Sequence, residues 1–161
     1  MFDKEDPHVV YLGLGSNLGD RSKNIEHAIH HIGERIGAVV ASSAFYVTEP
    51  VGFVSENHFL NAACKVETTM QPLAVLEAAQ AIEKKMGRTV KSRGKVYADR
   101  IIDIDLLLFD NLIYECPRLV LPHPLFHERA FVLLPLAEIA GEYIHPVLHK
   151  TINELKVMIK D

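Results

Sequence analysis

The chain has 161 residues, of which 48% are hydrophobic and 24% charged, and its formal net charge at pH 7 is −4. This composition is typical of globular proteins and excludes a disordered or fibrous chain, and the length predicts a single domain over residues 1–161. The acidic balance argues against a dedicated nucleic-acid-binding protein, which usually carries a basic excess. Cys64 and Cys116 form no CxxC pair, so zinc and redox motifs are not predicted.

Targeting and membrane-spanning segments are not predicted either. Residues 1–7 are polar and acidic and lack the apolar core of a signal peptide. No apolar run approaches the ~20 residues needed to cross a bilayer. We therefore expect a cytoplasmic protein that makes no membrane contact and keeps its cysteines as thiols.

The first part of the chain alternates strand and helix patterns. Residues 9–14 predict a strand and 15–20 a turn, and the helix that follows has apolar residues at helical spacing up to Gly37. Residues 39–48, rich in β-branched and aromatic side chains, predict one long strand, and residues 49–58 predict a loop.

The same order repeats in the second part. Residues 59–67 predict a strand, and Pro72 opens a second helix. A polar loop over 88–99 leads to a strand at 100–109, which a turn joins to a short partner at 112–114. The resulting βαββαβ order predicts an α+β, ferredoxin-like fold with an antiparallel sheet and helices mainly on one face.

The C-terminal region predicts extra strands and a last helix. Thr151 and Glu154 have the spacing of a capping box, which predicts that this helix begins after Thr151.

Asp103 and Asp105 give the sharpest sign of chemistry. On a strand, residues two apart point to the same face, so the two carboxylates lie together. They repel each other unless a cation lies between them, and Mg²⁺ prefers one or two carboxylates together with substrate phosphates. The simpler alternative is a solvated face of an edge strand. The apolar residues predicted to face the core on the other side are Ile102, Ile104, Leu106 and Leu108.

Cationic residues surround this acidic pair in the sequence. Each alone would be an ordinary surface charge, but carboxylates that hold magnesium beside cations that hold phosphates are the working parts of phosphoryl transfer. The cations are Arg88, Lys91, Arg93, Lys95 and Arg100 upstream, and Arg118, His123 and Arg129 downstream.

Three other patterns carry weaker signals. The glycines of GLGSNLG (13–19) fit neither a dinucleotide fingerprint nor a Walker A motif, and we interpret them as a tight turn between strand and helix. Gln80 and Glu83 lie one turn apart on the polar face of the second helix, where solvent exposure is the simpler reading. Phe59 and Asn61 share a strand face suited to reading a flat heterocycle, the alternative being a core ring beside a surface amide.

Together these segments closely resemble the 6-hydroxymethyl-7,8-dihydropterin pyrophosphokinase family. The resemblance runs from about residue 9 to residue 139 and is carried by GLGSNLGDR (13–21), FLNAA (59–63) and RIIDID (100–105), followed by Pro122-His123 and Arg129.

The resemblance implies an enzyme of folate biosynthesis that moves the β,γ-diphosphate of Mg-ATP to 6-hydroxymethyl-7,8-dihydropterin and releases AMP. It implies that Asp103 and Asp105 bind two magnesium ions and act in catalysis with Arg88 and Arg100. It also implies ATP and the pterin as small-molecule partners, and a monomer.

Further residues match family positions. The ATP side is matched by Gln80, Glu83, Arg88, Lys91, Arg100, Leu106, Arg118, His123 and Arg129. The pterin pocket is matched by Thr48, Val51, Gly52, Phe59, Asn61, Tyr97 and Phe131. The chain departs from the family at Tyr97, where many members carry tryptophan, at Glu49, where proline is common, and at Val120, where threonine is usual.

Two alternatives remain open from the residues alone. A non-catalytic ferredoxin-like module that binds a small ligand would not need the acidic pair and the cations together. Another DxD enzyme, such as a nucleotide-sugar transferase, would need a larger nucleotide-binding domain than 161 residues supply.

Overall fold

A five-stranded antiparallel sheet forms the centre of the computed structural model, which describes residues 6–48, 58–87 and 100–159. Its strands are β1 (His8–Ser16), β2 (Ala38–Ser42), β3 (Tyr46–Thr48), β4 (Phe59–Thr68) and β5 (Asp103–Phe109). The order is β2-β4-β1-β5, and β3 also pairs with β4. This is the strand order of a ferredoxin-like fold, so the predicted fold class is confirmed.

Two helices cover one face of the sheet, α1 (Arg21–Arg35) and α2 (Pro72–Lys85). Asp20 caps α1 by accepting the Lys23 N–H at 3.2 Å, and Pro72 stands in the first turn of α2, where its missing N–H costs nothing. The buried stripes of both helices form the first core against the sheet. They consist of Ile25, Ala28 and Ile32 in α1 and Val75, Ala79 and Ile82 in α2.

The C-terminal helices cover the opposite face, which forms a second core. α3 (Ala130–Ala140) follows a short 3-10 turn, Phe126–Glu128, and α4 (Ile152–Met158) comes last. The second core consists of Leu133, Leu136 and Ala137 of α3 packed with Tyr11, Ala63 and Leu107 of the sheet. The predicted capping box of α4 is confirmed, since Thr151 and Glu154 bind each other's main-chain N–H groups.

The prediction of one long strand at 39–48 is wrong, because Ser43 interrupts it. Ser43 donates its N–H to the Ala63 carbonyl, and its hydroxyl accepts the Ala63 N–H, both at 2.9 Å. A side chain thus replaces a main-chain acceptor of the ladder. Three residues, 43–45, separate Ser42 at the end of β2 from Tyr46 at the start of β3. Their partners on β4, Cys64 and Asn61, are separated by only two residues.

The predicted pairing of residues 112–114 with β5 is also wrong. Asp110 takes a positive φ of 47°, which an aspartate tolerates, and the chain turns away from β5. A separate hairpin follows instead, formed by β6 (Tyr114–Cys116) and β7 (Leu119–Leu121).

A β-bulge at Leu107 changes which way the end of β5 faces. Leu108 pairs with Tyr11 and Leu106 with Leu12, so Leu107 is the extra residue. Ile104 and Leu106 lie in the first core as predicted, but Leu108 lies in the second core with Leu107. Within the described ranges, no helix is long and apolar enough to cross a membrane.

Candidate active site

The acidic pair lies on the α3 side of the sheet, opposite two glycines. In the ladder between β1 and β5, Asp103 pairs with Gly15 and Asp105 with Gly13. On the other side of β1, Gly15 pairs with Asn61 of β4. Because directly paired residues of antiparallel strands share a face, the two carboxylates and the Asn61 amide lie on the same face, separated by glycines.

Because Gly13 and Gly15 have no side chains, this face of β1 between β4 and β5 carries none at these two positions, and we call this stretch the glycine trough. A Cβ atom added to Gly15 would lie 3.0 Å from Asn61 Oδ1 and 3.5 Å from Phe59 Cδ1. The strand predicted at 9–14 is confirmed for Gly13, but the tight turn predicted from residue 15 is wrong for Gly15, which is still a strand residue. It holds for Gly19, which lies beyond β1 with a φ of 70°.

Arg100 is held against the acidic pair from two directions. Its guanidinium donates from Nη1 to Asp103 Oδ1 at 3.0 Å. Its main chain is bound by Asn17, whose Oδ1 accepts the Arg100 N–H at 2.6 Å and whose N–H donates to the Arg100 carbonyl at 2.9 Å. Asn17 is fully buried at the end of β1, so it joins the start of the DxD segment to the first turn of the fold.

Asp105 lies among other carboxylates of the site. Burial raises the pKa of this carboxyl well above its usual range, and the neighbouring Asp103 and Glu83 carboxylates raise it further. Arg129 and Arg100 act in the opposite direction. A site that crowds carboxylates in this way favours a bound cation.

Glu83 is buried in α2, with 8% of its surface exposed, and one of its oxygens accepts the Ile104 N–H at 2.7 Å. The simpler reading of this residue as a solvated helix position is therefore wrong. That reading does hold for Gln80, one turn earlier, which is exposed.

His123 and Arg129 complete the cationic side. The main-chain N–H of His123 donates to the Leu107 carbonyl at 2.9 Å, which places the imidazole beside β5. Its buried Nδ1 has no hydrogen-bond partner among the described residues. Burial and the nearby Arg129 lower the pKa of His123, whereas Asp103 raises it. Arg129 precedes α3, and its guanidinium lies 5.8 Å from the Phe131 ring centre.

The donor set of this site fits magnesium. In the part of the chain that the structure describes, no three His, Cys, Asp or Glu side chains are arranged to hold a metal ion. The site offers instead two neighbouring carboxylates flanked by cations. That is the arrangement Mg²⁺ favours when phosphates and water supply its remaining ligands.

Aromatic and polar side chains border the glycine trough on its β4 side, across β1 from the acidic pair. Asn61 donates from Nδ2 to Thr48 Oγ1 at 2.6 Å, which leaves its Oδ1 directed at the space above Gly15. Phe59 precedes it on the same face of β4, and Phe131 stands in the first turn of α3 on that side of the sheet. Four of the predicted pterin residues thus lie on one side of the sheet.

Other predicted residues lie elsewhere. Arg118 is exposed on the β6–β7 turn and forms an ion pair with Glu77 of α2 at 2.9 Å. Leu106 is 3% exposed in the first core, so its side chain is not available to ATP. The predicted ATP and pterin residues that fall outside the described ranges are Val51, Gly52, Arg88, Lys91 and Tyr97. The cations Arg93 and Lys95 and the departure at Glu49 fall outside them as well.

Sequence reasoning missed three residues that shape this site: Gly13, Gly15 and Asn17. A signal for the glycines was present, because their i, i+2 spacing matches that of Asp103 and Asp105. No comparable signal marks Asn17, because its partner Arg100 is 83 positions away.

A ferredoxin-like sheet that carries paired carboxylates among arginine and histidine side chains defines the class of this protein as an enzyme of phosphoryl transfer. The family model for 7,8-dihydro-6-hydroxymethylpterin-pyrophosphokinase matches residues 11–141, and the chain belongs to that family. It is an ATP-dependent diphosphotransferase of folate biosynthesis, as the resemblance implied.

Similar proteins agree with this assignment. The chain is 45% identical over 141 residues to the 2-amino-4-hydroxy-6-hydroxymethyldihydropteridine pyrophosphokinase of Porphyromonas gingivalis, covering 86% of this chain and 94% of that protein. The Bacillus subtilis protein of the same name is 39% identical over 84% of this chain and 80% of its own length. The folic acid synthesis protein FOL1 of Dictyostelium discoideum is 40% identical over 93% of this chain, which spans 22% of that protein.

Solved structures support the fold. The wild-type HPPK-DHPS of Plasmodium falciparum with pteroate superposes with a TM-score of 0.75 at 20% identity. That match covers 96% of this chain, which spans 43% of the other chain.

Proposed function

We propose that the two substrates of the family reaction bind on the two sides of the glycine trough. ATP binds at the acidic pair of β5, and 6-hydroxymethyl-7,8-dihydropterin binds at Asn61 of β4. The observation that carries this proposal is the register of three strands. It sets Asp103 and Asp105 on β5 and Asn61 on β4 to either side of the side-chain-free stretch of β1.

On the nucleotide side, Asp103 and Asp105 are the residues that would hold two magnesium ions. Bound magnesium supplies positive charge that offsets the charge of the transferring diphosphate. Arg100 keeps Asp103 oriented through their 3.0 Å ion pair and also contacts phosphate oxygens. Arg129 and His123 contact the same phosphates.

On the pterin side, Asn61 reads the edge of the ring. Because its Nδ2 is engaged by Thr48, its Oδ1 is the atom that faces the substrate, and it accepts N–H groups of the pterin. Phe59 and Phe131 stack on the two ring faces. The hydroxymethyl group then lies near the acidic pair, where the alcohol oxygen attacks the β-phosphorus of ATP and gives up its proton to the Asp105 carboxylate. The bond between that phosphorus and the α-phosphate oxygen breaks, and AMP leaves.

The remaining predicted contacts are part of the same proposal. Arg118, Gln80 and Glu83 border the nucleotide, and Leu106 contributes through its main chain. Arg88, Lys91 and Tyr97, together with Val51 and Gly52, would complete the two substrate sites. We also propose that the protein acts as a monomer with a single domain.

The test is an assay of AMP formation from ATP and 6-hydroxymethyl-7,8-dihydropterin in the presence of magnesium. Asp105→Asn should lower kcat by at least about a hundredfold, because it removes a charge from the metal-binding pair. Asp20→Asn is the matched control, since the cap of α1 is exposed and asparagine can replace it. ADP as the product, or an Asp105→Asn variant that keeps a tenth of the wild-type rate, would contradict the proposal.

A further inference from the structure

A hydrogen-bonded contact between α3 and the chain at the start of β3, residues 44–46, lies on the pterin side of the sheet. Glu138 accepts the Tyr46 hydroxyl at 2.6 Å, and its two oxygens accept the Ala44 N–H at 3.2 and 3.1 Å. One carboxylate of α3 thus binds both a main-chain group and a side chain of this segment. We call this set the Glu138 clamp.

The clamp acts where the strand pairing of this edge is interrupted. Residues 43–45 bulge out of the ladder between β2 and β3, and Ser43 is tied to β4 through Ala63. The Ala44 N–H points away from that ladder, to Glu138. Because β3 has only three residues, its position depends on what holds the segment in front of it.

β3 carries the residue that orients Asn61. Tyr46 pairs with Asn61 and Thr48 with Phe59, so Tyr46 and Thr48 are two apart and face the same side as the pterin residues. Thr48 in turn accepts the Asn61 amide N–H at 2.6 Å. A shift of β3 relative to α3 would move Thr48 and release the Asn61 amide from its orientation.

We propose that Glu138 is a positioning residue for the pterin pocket: by binding Ala44 and Tyr46 it holds β3 where Thr48 can orient Asn61. This inference rests on the proposed role of Asn61 in pterin binding. The clamp does not touch the substrate, and its effect is confined to pterin binding, because the acidic pair lies on β5, on the far side of β1.

The effect runs through β3 rather than along α3 to Phe131. Glu138 and Phe131 are seven residues apart and share a helix face. Pro135 lies between them, however, and lacks the N–H that would bind the Phe131 carbonyl. The first turn of α3 therefore lacks one main-chain hydrogen bond to the turn that follows, whereas Thr48 lies on β3 itself and is the residue through which the clamp acts.

Glu138→Gln tests the inference with little change of shape. Glutamine keeps one acceptor oxygen for the two donors, the Ala44 N–H and the Tyr46 hydroxyl, and loses the charge, so we expect the KM for the pterin to rise about three- to tenfold. The KM for ATP and kcat should stay within about twofold. Tyr46→Phe removes only one of the contacts and should raise the pterin KM by a smaller factor. Glu34→Gln, an exposed charge on α1, is the matched control and should change neither KM.

A combination with Thr48→Val identifies the path. If Glu138 acts through Thr48, Glu138→Gln will raise the pterin KM no further in the Thr48→Val background. Equal rises in both KM values, an unchanged pterin KM, or full additivity with Thr48→Val would overturn the inference. If Glu138→Gln fails to fold, the pterin KM of Tyr46→Phe, alone and combined with Thr48→Val, is judged by the same outcomes.

A direct fluorescence titration of the pterin separates this inference from the proposed function. If the wild-type protein forms no AMP, the proposed function fails, yet weaker pterin binding by Glu138→Gln than by Glu34→Gln would still support the clamp. Equal binding by these two variants would overturn it.

Discussion

Glu83 accepts the main-chain N–H of Ile104 at 2.7 Å, and Ile104 is the residue between the two aspartates of the DxD segment. A buried carboxylate of α2 is thereby bound to the strand that carries the metal-binding pair. Glu83 also raises the pKa of Asp105, so it acts on this pair through both geometry and charge.

These two contributions can be separated by substitution. Glu83→Gln keeps an oxygen for the Ile104 N–H but removes the charge, so we expect magnesium to bind about three- to tenfold more weakly with little change in stability. Glu83→Ala also leaves the Ile104 N–H without its acceptor and should cost a further ~1–3 kcal/mol of unfolding free energy. Magnesium titrations of turnover and chemical denaturation measure the two effects. Equal magnesium dependence of wild type and Glu83→Gln would limit Glu83 to a structural role.

The glycine trough offers a matched pair of substitutions. Gly15→Ala brings a methyl group to 3.0 Å from Asn61 Oδ1, so the amide must shift, and we expect the pterin KM to rise about tenfold. Gly13→Ala meets only Leu107, at 3.3 Å, and should change stability by no more than about 1 kcal/mol and the pterin KM by less than twofold. Steady-state kinetics of both variants checks this difference. A larger pterin effect at Gly13 than at Gly15 would place the pterin elsewhere.

The fold and the acidic pair could be predicted because their signals are local. The βαββαβ order follows from periodicity, and the common face of Asp103 and Asp105 follows from strand geometry alone. The break at Ser43 was not predictable, because a serine hydroxyl replaces a main-chain acceptor only once β4 is in place. The bulge at Leu107 was missed for a related reason, since an unbroken apolar run does not reveal a change of face.

The site itself was only partly predictable, because its supporting contacts join residues that are far apart in the sequence. Asn17 binds Arg100 across 83 positions, and Glu138 binds Tyr46 across 92. Such partners follow from how the two faces of the sheet are covered. The helices α1 and α2 were predicted on one face, but neither the helix α3 nor the residues that it meets on the other face were predicted.

His145 makes the stability of the C-terminal region depend on pH. Its Nδ1 accepts the N–H groups of Val147 and Leu148 at 3.2 and 3.1 Å, which requires an unprotonated nitrogen. Burial, with the neighbouring His127 and His149, lowers the pKa of His145. The unfolded chain takes up this proton near the ordinary value of about 6.5 and the native state does so only at lower pH, so stability is lost as the pH falls below about 6.5.

His145→Asn tests this assignment, because Asn Oδ1 can accept the same N–H groups and does not titrate. We expect the decrease in unfolding free energy between pH 7 and pH 5 to be smaller in this variant than in the wild type, measured by urea denaturation at each pH. His30→Asn, at an exposed position of α1, should keep the wild-type dependence. Identical slopes for His145→Asn and wild type would assign the acid sensitivity to other groups.

The two cysteines differ in environment, and thiol labelling of the native protein should distinguish them. Cys64 is fully buried in β4, and burial raises its pKa to about 12, so about one thiol in ten thousand is ionised at pH 8. Cys116 is half-buried in β6, and the main-chain N–H of Arg118 and the Tyr114 hydroxyl lower its pKa.

Because the thiolate is the reactive form, iodoacetamide at pH 8 should modify Cys116 alone, and Cys64 only after unfolding. Mass spectrometry of the labelled peptides measures this, and a Cys116→Ser variant should take up no label while folded. Labelling of Cys64 at a rate similar to that of Cys116 would mean that β4 opens readily, which would contradict its central place between β1 and β2.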